Sequence, residues 1–345
     1  INGPATKRFT ENFAKYLGAK AVIPCANGTD ALQIALMALD LQPGDEVITS
    51  PFTFFATAEV IALLGLIPVF VDINPETFNL DPAKLEAAIT PETRCIIPVH
   101  LFGLACDMEP IMALADKHGI WVIEDNAQAI GSEYTFKDGH KEKAGLIGHI
   151  GSTSFYPSKN LGAYGDAGAL YTNDPVLAEK LQMICNHGAR KKYHHERIGV
   201  NSRLDTIQAA VLDAKLKHLD EYTAARQQAA AWYDELLGNV EGISIPGRPA
   251  NSTHVFHQYT LRIHAGRERR DRLQAQLAER KIPTMVYYPV PLHTQEAYAS
   301  YGFQKGDFPV SEECCEQVIS LPIHSELDRT QVEYIVQHFL ACFQQ

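Results

Sequence analysis

Between about residues 20 and 125 the chain alternates short apolar runs with stretches of helical period. The runs at 46–49, 67–71, 94–99 and 120–123 are mostly rich in Val and Ile without polar alternation, which predicts strands of a parallel sheet covered on both faces. Helices are predicted between them at 29–39, 55–64, 82–89 and 107–118, with Pro82 suited to a first turn and Gly119 to a stop. Strands at 152–155 and 167–171 extend the same layer, and Asp174 is placed to cap a helix running towards Cys185. The polar stretch 186–201 interrupts regular structure. After it, Ser202 reads as the N-cap of a long helix with Asp205 in its first turn and Leu204, Ile207, Val211 and Ala214 on one face. Another helix covers roughly 221–236. A transition at 238–252, punctuated by Gly242, Pro246, Gly247 and Pro249, leads to a strand at 257–263, a helix at 269–280, a short strand at 284–288 and a final helix at 329–339. The pattern reads as an α/β chain. A large domain (1–237) has a mostly parallel central sheet covered by helices, and a smaller α+β domain (238–345) follows it.

The balance of 30 Lys plus Arg against 41 Asp plus Glu, a net charge of −11, argues against a general nucleic-acid binder. With 46% hydrophobic residues in 345, the chain can bury sizeable cores, yet no apolar run approaches the roughly 20 residues of a membrane span. Around Lys7 and Arg8 the start is mixed and polar, unlike a secretory signal. Seven irregularly spaced cysteines without a CxxC pair read as reduced thiols of a cytoplasmic protein.

Three segments carry candidate chemistry. In Asn27-Gly28-Thr29-Asp30-Ala31-Leu32 a turn opens a helix, which is either an ordinary cap or a phosphate site using free N–H groups. Asp125, within Glu124-Asp125-Asn126-Ala127-Gln128, ends a buried strand. It could serve as a metal ligand, a cap or a partner for a protonated heterocycle, and no HxH, HExxH or EF-hand spacing supports the metal. Lys159 lies between two predicted strands in a stretch rich in glycine and hydroxyl groups. It is either a solvated loop charge or the lysine that forms a Schiff base with a cofactor aldehyde while Asp125 keeps a pyridine nitrogen protonated.

Several motifs in order resemble the nucleotide-sugar aminotransferases of the DegT family, within the fold-type I pyridoxal-phosphate enzymes. They are NGTDAL at 27–32, PFTFFAT at 51–57, EDNAQAIG at 124–131, SFYPSKNLGAYGDAG at 154–168, VNSRLDTIQAA at 200–210 and YYPVPLHTQ at 287–295. The resemblance implies pyridoxal 5′-phosphate as cofactor, with Lys159 carrying the aldehyde and Asp125 facing the pyridinium. It further implies Gln128 beside the 3-hydroxyl and Phe54 stacked on the ring, although local pattern alone makes Phe54 a core residue. Gly28, Thr29 and Ser154 become phosphate contacts, and Asn201 a contact donated by the second subunit of a homodimer with shared active sites. Members usually carry a further helical segment ahead of the region matching Gly3-Pro4, which bears on the substrate pocket and not on these cofactor residues.

The implied activity moves the amino group of glutamate to the ketone of a nucleotide sugar, with Lys159 relaying the proton. A dehydratase branch of the family carries histidine at the lysine position, and regulators of similar fold carry a DNA-binding domain; neither mark is present here. The run 193–205 looks closest to the branch acting on UDP-2-acetamido-2-deoxy-3-oxo-glucuronate for bacterial surface polysaccharide, with a 4-keto-6-deoxy nucleotide sugar as the runner-up. Arg203 is then the cation facing a uronate or nucleotide, unless it pairs with Asp205, and Tyr287 and Tyr288 approach the sugar-nucleotide. His194 and His195 lack a third ligand for a metal and read as surface or interface residues.

Overall fold

The computed structural model describes residues 1–344. Helix α1 (Pro4–Leu17) has Pro4 in its first turn, and Gly18 closes it at φ 80°, a left-handed value glycine adopts without strain. Strand β1 (Ala21–Cys25) then runs into α2 (Gly28–Ala38), and the strand–helix unit repeats through β2 (Glu46–Thr49), α3 (Ala56–Leu63), β3 (Ile67–Phe70), α4 (Pro82–Leu85), β4 (Thr93–Ile96), α5 (Met108–His118) and β5 (Trp121–Asp125). A hairpin of β6 (Glu133–Thr135) and β7 (Lys141–Lys143) precedes β8 (Ile150–Ser154), β9 (Gly168–Thr172) and α6 (Pro175–Cys185). A second small hairpin, β10 (Ala189–Lys191) with β11 (His194–His195), leads to α7 (Thr206–Leu216) and α8 (Leu219–Leu237). The C-terminal part contains β12 (Ile243–Ser244), β13 (Tyr259–Ile263), α9 (Gly266–Glu279), α10 (Pro309–Gln317), β14 (Val318–Leu321) and α11 (Arg329–Phe343).

The central sheet has the order β1-β9-β8-β5-β4-β2-β3. Strands β8, β5, β4, β2 and β3 are mutually parallel, and β9 runs antiparallel to both of its neighbours. Parallel strands deliver their carboxyl ends to one edge of the sheet, where open α/β folds gather ligands. Asp125 ends β5 and Ser154 ends β8 on that edge, with Asp125 paired to Ser152. Helix α2 packs behind it through Ala31, Ile34 and Ala35, all fully buried. A second core joins β13 and β14 to α8, α9 and α11 through Tyr233, Tyr259, Leu273 and Phe339. Among the described residues no helix is long and apolar enough to cross a membrane.

The structure corrects the sequence reading in several places. Helix α1 and strand β1 lie outside the predicted elements; α1 sits in a mixed polar stretch and buries a narrow line, Thr6, Phe9, Phe13 and Leu17. No strand forms at 284–288, where Met285 makes an isolated bridge to Ser320, and β14 takes the place beside β13. Ser202 does not cap α7. That position belongs to Asp205, while the Ser202 hydroxyl donates to Asp30 Oδ2 at 2.6 Å and accepts the Ala26 N–H at 2.9 Å. The buried face of α7 is Ala209, Leu212, Asp213 and Leu216; Ile207 and Ala214 face outwards, and Leu204 is buried ahead of the helix. Asp174 does cap α6, accepting from Val176 N and Leu177 N.

Candidate active site

The site grows from the first turn of α2. The Asn27 side chain accepts the Asp30 N–H at 2.8 Å and the Asn27 carbonyl accepts that of Ala31 at 3.1 Å, which leaves the Gly28 and Thr29 N–H groups without an acceptor. This turn is pressed against the sheet edge. A Cβ on Gly28 would lie 2.7 Å from Ser154 Cβ, and one on Gly168 would lie 2.4 Å from the Asn27 carbonyl oxygen. Glycine is therefore required for the close approach, and the Ser154 hydroxyl is brought beside two free donors at the positive end of a helix. That is an anion cradle.

Asp125 is buried at the end of β5. Its Oδ2 accepts the Thr57 hydroxyl at 2.9 Å and its Oδ1 accepts the Ala127 N–H at 3.2 Å. Burial raises its pKa, and Thr57, the Ala127 N–H, Lys159 and His100 pull it back in part. Thr57 lies 3.3 Å from the Thr53 hydroxyl, so two threonines of the PFTFFAT segment line up on the carboxylate. Lys159 leaves β8 towards the same place and is partly buried. Burial pulls its amine down to about 8, opposed by the Asp125 charge, and no hydrogen bond or ion pair occupies it among the described residues.

Gln128 is fixed at both ends. Its Oε1 accepts the Phe102 N–H at 2.7 Å and its Nε2 donates to the Tyr288 hydroxyl at 3.2 Å. Phe54, which local pattern made a core residue, is 59% exposed and leans towards Tyr288 with ring centroids 6.4 Å apart. A flat apolar face is thus left open next to the Asp125–Lys159 pair. Tyr287 packs edge-on to Tyr288.

Asn201 is exposed with a free side chain, one residue from the Ser202 contact to α2. Among the described residues Arg203 makes no ion pair, so the pairing with Asp205 is absent there. It lines a cleft of about 410 Å³ together with Lys7, Thr10, Glu11, Gln182 and Asn186. His194 and His195 lie on the exposed β10–β11 hairpin, away from any cluster of metal-ligating groups among the described residues.

Sequence reasoning missed three supporting residues: Thr57, His100 and Glu124. Glu124 is fully buried and accepts the N–H groups of Gly145, Ile147 and Gly148 at 2.7, 2.7 and 2.5 Å, and that of His100 Nε2 at 2.8 Å. His100 Nδ1 accepts the Cys106 N–H at 3.0 Å, which assigns the ring proton to Nε2. The available signal was strand alternation: in Glu124-Asp125 the two carboxylates must point to opposite faces of β5, so one of them belongs to the scaffold.

Residues 1–340 match the family model described as the DegT/DnrJ/EryC1/StrS aminotransferase family. The chain belongs to this family. This member of the DegT family is 49% identical to the UDP-2-acetamido-2-deoxy-3-oxo-D-glucuronate aminotransferase of Pseudomonas aeruginosa, over 97% of this chain and 90% of that protein. It is 50% identical to a pleiotropic regulatory protein of Geobacillus stearothermophilus, over 98% of this chain and 89% of that one. Its fold matches the solved structure of DesV from S. venezuelae with a TM-score of 0.94 at 40% identity, covering all of this chain and 91% of that one. As a DegT-family enzyme it is a pyridoxal-phosphate-dependent nucleotide-sugar aminotransferase. The residues present fit that cofactor: a donor cradle for the phosphate, an open aromatic face for the ring, a buried carboxylate for the ring nitrogen and an unpaired lysine for the aldehyde.

Proposed function

We propose that the chain transfers the amino group of glutamate to UDP-2-acetamido-2-deoxy-3-oxo-glucuronate, supplying an amino sugar for bacterial surface polysaccharide. The observation that carries this reading is Arg203: a guanidinium that forms no ion pair among the described residues, on a polar cleft, one residue beyond the serine that grips α2. A partly buried cation of this kind fits a carboxylate, and its planar fork matches the uronate group or the diphosphate in two parallel hydrogen bonds. The 49% identity to the Pseudomonas aeruginosa enzyme supports the same substrate.

Bound pyridoxal phosphate supplies an aldehyde for the amino group and a ring that draws electrons from the reacting carbon. Gly28, Thr29 and Ser154 hold its phosphate, with Asn201 reaching across from the second subunit of a homodimer. Phe54 would face the ring, Gln128 the 3-hydroxyl, and the Asp125 carboxylate would keep the ring nitrogen protonated. Lys159, drawn down to about 8 by burial, carries a substantial neutral fraction near neutral pH and moves a proton at the reacting carbon. Tyr287 and Tyr288 flank the sugar-nucleotide. Glutamate and a nucleotide sugar are water-borne metabolites, which suits a cytoplasmic enzyme.

Steady-state assays of the 3-keto uronate against 4-keto-6-deoxy nucleotide sugars, in wild type and Arg203→Ala, test the reading. The uronate should be preferred, and Arg203→Ala should lose that preference. A neutral 4-keto sugar turned over better, with the variant unimpaired, would overturn both assignments.

A further inference from the structure

Helix α7 holds the loop that carries Lys159. That loop is closed at its base, where the Phe155 N–H donates to the Ala167 carbonyl at 2.8 Å and the Ala163 N–H to the Phe155 carbonyl at 2.7 Å. Inside it the Lys159 N–H donates to the Tyr156 carbonyl at 2.8 Å. A Cβ on Gly162 would lie 2.4 Å from the Pro157 carbonyl oxygen and 3.1 Å from that of Lys159, so the turn from 157 to 162 folds tightly on itself. A pull on Gly162 therefore reaches Lys159 with little slack.

Two side chains of α7 exert that pull. Lys215 Nζ donates to the Gly162 carbonyl at 2.7 Å and stands 4.8 Å from the centre of the Tyr164 ring, a charge-assisted bond beside a cation–π contact. Lys215 forms no ion pair among the described residues, so its charge is spent on the loop. Two helical turns earlier, on the same side, Gln208 Oε1 accepts the Tyr164 N–H at 2.9 Å. The helix is itself anchored to α1, where Asp213 accepts from Arg8 Nε at 2.7 Å and from Asn12 Nδ2 at 2.6 Å. Ahead of its first turn, Ser202 is bonded to Asp30 and Ala26 beside the anion cradle. One short stretch of chain thus grips the cradle at one end and the lysine loop at the other.

We propose that Gln208 and Lys215 are positioning residues for Lys159: through them α7 sets the lysine loop against the cradle of Gly28, Thr29 and Ser154. This rests on the aminotransferase reading of both. A cofactor held by its phosphate meets Lys159 only where loop and cradle are correctly spaced, and a misplacement of about 1 Å costs on the order of a hundredfold in rate. On its other side the loop is held by Asn160, whose Nδ2 donates to the Val255 carbonyl at 2.9 Å. Without the contacts to α7 the loop would pivot about that bond.

The test uses Lys215→Met, which keeps the stem and removes the donor, and Gln208→Met, which removes the acceptor; Lys215→Arg and Gln208→Glu retain them. Hydrogen exchange of the peptide 156–164, followed by mass spectrometry of the apoenzyme, reads the loop directly. Exchange there should quicken about tenfold in each methionine variant, with β8 and β9 protected as in wild type. The proteins, stripped with hydroxylamine, are then titrated with pyridoxal phosphate, which Lys159 holds through the aldehyde, and with pyridoxamine phosphate, which offers no aldehyde. The first should bind about tenfold more weakly to the methionine variants and the second within about threefold of wild type. In the reloaded variants kcat should fall about tenfold at a KM for glutamate within about threefold of wild type. The arginine and glutamate variants should behave as wild type in all three. If a methionine variant fails to fold, leucine at the same position takes its place. Both phosphates weakened by the same factor would mean a general loss of structure and would overturn the proposal, as would unchanged exchange over 156–164. A wild type that binds neither compound would instead overturn the function, and the exchange measurement would still judge the hold of α7 on the loop.

Discussion

Replacing Thr57 with valine removes one hydroxyl from Asp125 and almost nothing else. The hydroxyl donates to Oδ2 at 2.9 Å inside a site where Thr57 is 1% exposed, so no water can take its place. Burial already pushes the Asp125 carboxyl towards its neutral form, and Thr57 is the largest influence holding it back, ahead of the Ala127 N–H. A hydrogen bond to a buried charged group contributes about 1.5–3 kcal/mol. At about 1.4 kcal/mol per unit, its loss should raise the Asp125 pKa by about 1–2 units. The sign follows: the ionised carboxylate is the form that holds the ring-nitrogen proton, and a raised pKa means that form disappears at a higher pH as acid is added. Fluorescence titration of the apoenzyme with pyridoxal phosphate should therefore show an acid limb of binding displaced upwards by about 1–2 pH units. Thr57→Ser keeps the donor and should leave the limb in place. A valine variant with an unchanged acid limb would show that Thr57 does not tune Asp125.

Three further outcomes follow from the geometry. Because the Lys159 amine is drawn down to about 8, the rate at which apoenzyme captures the cofactor aldehyde should climb about tenfold per pH unit below about 8 and then flatten; a rise continuing to about pH 10 would mean an ordinary lysine. Gly28→Ala places a methyl 2.7 Å from Ser154 Cβ, so α2 must move off the sheet edge; cofactor affinity should drop at least about tenfold and stability by about 1–3 kcal/mol in urea melts. Glu124→Gln must turn its NH2 towards two N–H groups whichever way the amide lies, either Ile147 and Gly148 or Gly145 and His100, and should cost about 3–5 kcal/mol by denaturant titration.

The strand–helix alternation was legible because parallel strands buried on both faces leave short apolar runs, as Trp121-Val122-Ile123 of β5 does. What stayed hidden has local physical causes. Helix α1 buries one residue per turn, so its sequence looks like a solvated stretch. The 284–288 segment has strand-like residues, but its only pairing is Met285 to Ser320; strand identity here depends on a partner contributed from 318–321, which no local window contains. At the site, Asp125 and Lys159 become candidates through the family resemblance carried by the EDNAQAIG and SFYPSKNLGAYGDAG motifs. Their regulators do not. Thr57 acts on a carboxylate 68 positions away and Glu124 on groups 21 to 24 positions away, and a threonine in a helix start has no signature of its own.

Helix α7 buries a different face from the one its apolar spacing predicts. Apolar spacing placed Leu204, Ile207, Val211 and Ala214 inwards, yet the helix buries Ala209, Leu212 and Leu216 and leaves Ile207 77% exposed. Both faces are apolar, so period alone cannot choose between them. The outward one adjoins the loop that carries Lys159: the Gln208 side chain accepts the Tyr164 N–H at 2.9 Å, Lys215 lies 4.8 Å above the Tyr164 ring, and Tyr164 is itself 76% exposed. An apolar helix face continuous with the exposed Tyr164 next to the Lys159 loop is the surface a second copy of the chain would cover in the proposed homodimer. Ile207→Glu puts a charge there without touching the core. Light scattering should find wild type as a dimer and the variant shifted towards monomer, with circular dichroism unchanged. Cofactor affinity should fall together with the dimer fraction if Asn201 completes the partner's site. A monomeric variant that binds pyridoxal phosphate as tightly as wild type would refute the shared site, and an undisturbed dimer would move the interface elsewhere.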